Sequence, residues 1–62
     1  MKLSKAEMEK KLAAFLDERW FVVTQYGSSE VNMVYYNGAC KAIEQIGSWT
    51  RNEAGKHSVT LG

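Results

Sequence analysis

A single cysteine, Cys40, in a chain of 62 residues takes away the support on which most such short chains rely. A domain this small buries only about 60% of the surface that its unfolded chain exposes. Apolar burial and ordering entropy then nearly cancel, and a disulfide, a metal or a partner chain commonly supplies the difference. One cysteine closes no internal disulfide. One cysteine with one histidine, His57, is too few for a structural zinc site of Cys and His ligands. Association is then the expected supplement, with a second copy or with another protein, and the chain is expected to be homo-oligomeric; the alternative is an efficiently packed monomer, since some domains of this size fold alone.

Other partners find less support. The formal charge is +1, so composition offers no electrostatic case for nucleic acid or an anionic membrane. No run approaches the ~20 apolar residues of a membrane span. Met1 to Asp17 is charged throughout and does not read as a secretory leader. With a lone thiol, these features set the expectation of a cytoplasmic protein that makes no membrane contact. The 62 residues read as one small domain.

The chain opens on a capping box, Ser4 followed by Glu7, in which each side chain satisfies the other residue's free amide. Met8, Leu12, Phe15, Leu16 and Trp20 then recur at helical spacing and predict an amphipathic helix. Glu7, Lys10, Lys11, Asp17 and Glu18 fall mostly on its solvated side. The segment from Phe21 to Tyr26 is β-branched and aromatic, which suits a strand. Leu16, Trp20 and Val23 nevertheless continue the helical stripe, and Gly27 is a natural stop. The reading adopted is a helix to about Tyr26, with a strand over residues 21–26 as the alternative.

Ser28 or Ser29 can cap a second helix, with Glu30 suited to its positive end. From Val31 to Ile46 the spacing is again helical. Val31, Tyr35, Gly38, Ala39, Ala42 and Ile46 share one face, whose small residues allow close approach of the first helix. Met33, Tyr36, Cys40 and Ile43 form a second apolar strip, and only Asn37, Lys41 and Glu44 are clearly polar. A helix apolar around most of its circumference is buried on more than one side. The strip of Met33, Tyr36 and Cys40, which core packing explains least, is therefore expected to be the protein interface.

The last segment reads as a β-hairpin. Asn52-Glu53-Ala54-Gly55 suits a type I turn followed by a left-handed glycine. Taking Glu53 to Gly55 as the loop pairs Arg51 with His57, Thr50 with Ser58, Trp49 with Val59 and Ser48 with Thr60. Apolar and polar residues then fall on opposite faces, as a half-buried pair requires. The predicted fold class is α+β: two antiparallel helices followed by a C-terminal β-hairpin packed on them through Trp49, Val59 and Leu61. In the alternative, residues 21–26 add a third strand.

Chemistry-bearing groups are few. Cys40 with His57 is the one nucleophile–base combination, and a thiol on the apolar strip of a helix is better read as a small buried hydrophobe. The carboxylates show no acid/base constellation, and no glycine loop suited to phosphate is present. No cofactor, metal or catalytic activity is expected. Arg51, Lys56 and His57 cluster near the hairpin tip beside Trp49, and a basic hairpin can contact phosphates while an aromatic stacks on a base. Glu53 at the tip opposes this. The expected function is thus a protein–protein interaction or structural module, with a nucleic-acid-associated regulator using Arg51, Lys56 and His57 as the alternative. In general look the chain is similar to short open reading frames of bacterial and phage genomes, a likeness carried by no motif and implying no function.

Overall fold

The computed structural model describes residues 2–27 and 29–62 and has helix α1 (Lys5–Gln25), helix α2 (Glu30–Glu44) and strands β1 (Gly47–Arg51) and β2 (His57–Leu61). The helices run antiparallel. They cover one face of the hairpin, α1 lying over β2 and α2 over β1. The α+β expectation holds, and the strand alternative for residues 21–26 does not.

Helix α1 starts as its sequence dictates. Ser4 Oγ accepts the Glu7 amide at 3.1 Å while Glu7 Oε1 accepts the Ser4 amide at 3.3 Å. The helix continues through Phe21–Gln25 because Val23 is buried against Leu16 in the core, and that burial outweighs local β-propensity. Thr24 adapts to the helix by donating its hydroxyl to the Phe21 carbonyl. Gly27, at φ +99°, turns the chain out of the helix. Ser29 caps α2, its hydroxyl accepting the Asn32 amide. Ser28, the other expected cap, lies outside the described residues.

The hairpin has the register that its pattern demands: Gly47 faces Leu61, Ser48 Thr60, Trp49 Val59, Thr50 Ser58 and Arg51 His57. Gly55 donates to the Asn52 carbonyl and has φ +83°, which closes the type I turn and its left-handed residue. Asn52 Oδ1 accepts the Lys56 amide at 2.9 Å and tightens the loop further. The outer face of the hairpin carries Ser48, Thr50, Ser58 and Thr60, all exposed.

The two strand edges differ. Asn52 bonds Lys56 across the turn and Gly62 bonds Ile46 at the far end, so by alternation the amides of residues 57, 59 and 61 point away from β1. Asp17 Oδ1 takes the His57 amide at 2.7 Å and Glu9 Oε2 takes that of Leu61 at 2.8 Å. Two carboxylates of α1 thus cover two of the three outward amides on this edge of β2. Among the described residues, the outward amides of Trp49 and Arg51 on β1 have no such acceptor.

The core is Leu16, Val23, Tyr36, Cys40, Ile43 and Val59, with Leu12, Ala13, Trp20, Met33, Ala39, Trp49 and Leu61 packed around it. Two expectations are corrected here. Met8 and Phe15 stay exposed, because they lie about a quarter-turn from the Leu16 line that faces the core. The faces of α2 are also exchanged. Tyr36 and Cys40 are buried and Met33 is partly buried, while Val31, Tyr35 and Ile46 are exposed. The physical reason is volume. Met33, Tyr36, Cys40 and Ile43 fill the space between helices and hairpin and bury far more apolar area than Gly38, Ala39 and Ala42 can.

Candidate functional site

Two features stand out: a polar cluster beneath the hairpin, buried at His57 and Tyr36, and an open apolar face on α2. The cluster draws one residue from each element. His57, on β2, has no exposed side-chain surface. Its Nδ1 lies 2.9 Å from Asp17 Oδ1 on α1, and its Nε2 lies 2.7 Å from the Tyr36 hydroxyl on α2. Arg51 Nη1, on β1, donates to that same hydroxyl at 3.0 Å. With a neutral imidazole, one arrangement satisfies every group: Arg51 donates to Tyr36, Tyr36 donates to Nε2, and Nδ1–H donates to Asp17.

Aromatic rings wall this chain of bonds. The Arg51 guanidinium carbon sits 3.8 Å from the Trp20 ring centroid, a close cation–π contact. Trp20 and Trp49 pack on Tyr36 with centroids 5.0 and 6.3 Å away. Trp49 is itself tethered, donating its indole N–H to Glu44 Oε2 at 2.8 Å. Asp17 and Lys56 mark the boundary with solvent, where α1 and the hairpin tip flank an open groove of about 380 Å³.

The electrostatics follow from this burial. Burial tends to raise the Asp17 pKa, but bonds from the His57 ring and amide, with the Lys56 charge, outweigh it and hold the carboxyl below its usual 3.8. Burial is the leading cause that pushes the Tyr36 phenol above 10.0 and the Cys40 thiol above 9.0. In order, Asp17, His57 and Tyr36 match an orienting acid, a base and a hydroxyl. Tyr36 is only 3% exposed, however, and its raised pKa is opposite to that of an activated nucleophile. The arrangement is suited to locking four elements together.

The structure therefore unites residues that sequence patterns kept apart. Asp17, expected on the solvated side of α1, is the acceptor for His57. Its position beside Leu16 and Ala13, at the border of the buried stripe, was the available signal. Cys40 is buried one turn beyond Tyr36 and makes no pair with His57. Of the basic trio at the tip, His57 and Arg51 are engaged inside the cluster, while the Lys56 side chain is 75% exposed and lies 3.8 Å from Asp17. Among the described residues no group of three or more His, Cys, Asp or Glu is placed to hold a metal ion, and no helix is long and apolar enough to cross a membrane.

The second feature is the outer face of α2. Val31, Val34 and Tyr35 are each more than 60% exposed, and Ile46 follows them on the closing turn at 53%. Gly38 and Ala42 lie among them on the same side, and nothing stands within 4 Å of where a Gly38 side chain would begin. On α1, Phe15 is left half exposed, with the Arg19 guanidinium 5.8 Å from its ring centroid. Comparison with family models, curated proteins and solved structures finds no match to the chain.

Proposed function

We propose that the protein is a protein–protein interaction module and that its working surface is the outer face of α2. One observation carries this reading: Val31, Val34, Tyr35 and Ile46, on one side of α2 and the turn that follows it, are all more than half exposed. Scattered exposed apolar residues are ordinary on any protein, whereas a continuous patch marks a site of contact. Tyrosine is enriched at such sites, and charged residues are depleted from their centres. The line from Val31 to Ile46 carries no charge across Tyr35, Gly38 and Ala42. This surface replaces the Met33, Tyr36 and Cys40 strip, whose members pack inside the domain.

The test is the size of the chain in lysate of the cells that make it. The native chain is expected to migrate in a complex larger than its own 7.0 kDa, and Tyr35→Glu is expected to release it. Migration of the native chain at its own mass, unaltered by Tyr35→Glu, refutes the reading.

A further inference from the structure

The interaction reading leaves the occupant of the face open, and the geometry of α2 narrows it. We infer that the occupant is a second copy of this chain, with the two α2 helices packed antiparallel about a two-fold axis between Gly38 and Ala39. This inference rests on the reading of the α2 face as an interaction surface.

The amount of exposed surface is the first argument. A monomer of 7.0 kDa is expected to expose about 4,000 Å². This chain exposes 4711 Å², an excess of roughly 700 Å², close to the ~800 Å² that each partner buries in an interface of standard size. Among the described residues, four of the nine large apolar side chains that stay exposed, Val31, Val34, Tyr35 and Ile46, lie on or beside this face.

The second argument is self-complementarity, which a two-fold dimer requires of its surface. An axis between Gly38 and Ala39 sets Gly38 against the partner's Ala39, so the backbones can approach at the centre. It sets Tyr35 against the partner's Ala42, bulk against a hollow. At each end Val31 meets the partner's Ile46. All these positions except Ala39 are exposed on this one face, and Ala39 lies at its margin. A parallel pairing instead places Tyr35 on the partner's Tyr35 and leaves Gly38 facing the partner's Gly38, crowding one level and emptying the next. Antiparallel helices also oppose their dipoles favourably.

Gly38→Leu tests the contact without harming the fold. A Cβ at position 38 meets nothing within 4 Å in the isolated chain and the position is exposed, and leucine is a better helix former than glycine. Light scattering on the purified protein across a concentration series is expected to show a native dimer. Gly38→Leu is expected to weaken it at least ~10-fold through overpacking at the centre, with the helical circular dichroism kept. Direction is read by cross-linking in a Cys40→Ser background. Val31→Cys combined with Ile46→Cys is expected to give a covalent dimer under mild oxidation, and neither single variant is.

A native chain that is monomeric at every concentration overturns the inference. So does a dimer indifferent to Gly38→Leu, or one that cross-links through Val31→Cys alone. A complex in lysate that Tyr35→Glu dissolves, beside a purified chain that stays monomeric, sinks the second copy while sparing the interaction surface.

Discussion

Replacing Asp17 by alanine removes one carboxylate oxygen that accepts both the backbone amide and the ring Nδ1–H of His57. His57 is 6% exposed, so these donors have little water to turn to. A hydrogen bond to a charged group contributes about 1.5–3 kcal/mol, and an orphaned buried donor costs a similar amount. The Asp17 side chain is 29% exposed, so water partly replaces the lost oxygen, and each of the two bonds contributes about 1–1.5 kcal/mol, at or just under the low end of that range. The expected loss is ~2–3 kcal/mol. A 62-residue domain has only about 3–9 kcal/mol in all. At one fixed protein concentration, the urea midpoint should therefore fall by about 2 M and the thermal midpoint by on the order of 10–20 °C. Asp17→Asn keeps an acceptor oxygen and should lose less. Glu18→Ala, which removes only an exposed contact to Arg19, should cost no more than ~0.5 kcal/mol. If Asp17→Ala unfolds within ~0.5 kcal/mol of Glu18→Ala, the cluster does not hold the hairpin to the helices and the account given for it is wrong.

Two further outcomes are expected. At Gly47 a side-chain carbon would collide with the Thr60 carbonyl oxygen and stand 2.9 Å from Leu61 Cα. Both obstacles are backbone, so Gly47→Ala should destabilise by ~1–3 kcal/mol in urea titration, and a neutral result would show the β1–β2 approach to be looser than described. The pH profile has a limb at each end. On acidification the unfolded chain takes up the Asp17 proton first, so that contribution is complete above about pH 4 and is lost as pH falls through the lower folded value. At the other end the folded state holds the Cys40 and Tyr36 protons more tightly than the unfolded chain does. Stability is then kept below pH 9.0 and lost as pH rises past 9.0 and 10.0. Urea midpoints measured across this range should show a plateau between the limbs, and Asp17→Asn should flatten the acid side alone.

The parts of the fold that were legible in the sequence are those set by local chemistry. Ser4 with Glu7, the Asn52–Gly55 turn and the two-residue alternation around it each leave one economical structure, and the register followed from them. The orientation of α2 was not legible for a definite reason. Apolar residues surround most of that helix, so periodicity supplies two candidate faces and no criterion to choose between them. Beside the volume that Met33, Tyr36, Cys40 and Ile43 fill, a partner 21 residues away, the Nε2 of His57, favours this face by giving the buried Tyr36 hydroxyl an acceptor. Tyr35 has no such partner and stays outside. The partners of the carboxylates were not legible either. Asp17 was assigned to a solvated face and is half-buried against His57; Glu44 is exposed as expected, yet it and Glu9, like Asp17, each accept an N–H of the hairpin. Such bonds span up to 52 residues of sequence, and no spacing rule reaches that far.

The unequal edges of the hairpin bear on how the chain behaves when crowded. An open strand edge invites a further strand, and growth into a fibre requires each added unit to present another edge as free as the one it covered. Here Glu9 and Asp17 occupy two of the three outward amides of β2, those of Leu61 and His57, and set negative charge where an incoming strand would bring its carbonyls. Two chains that met through β1 would make a four-stranded sheet with a guarded border on both sides. Edge-to-edge addition is then opposed beyond a first pairing, because each border left open carries those two carboxylates.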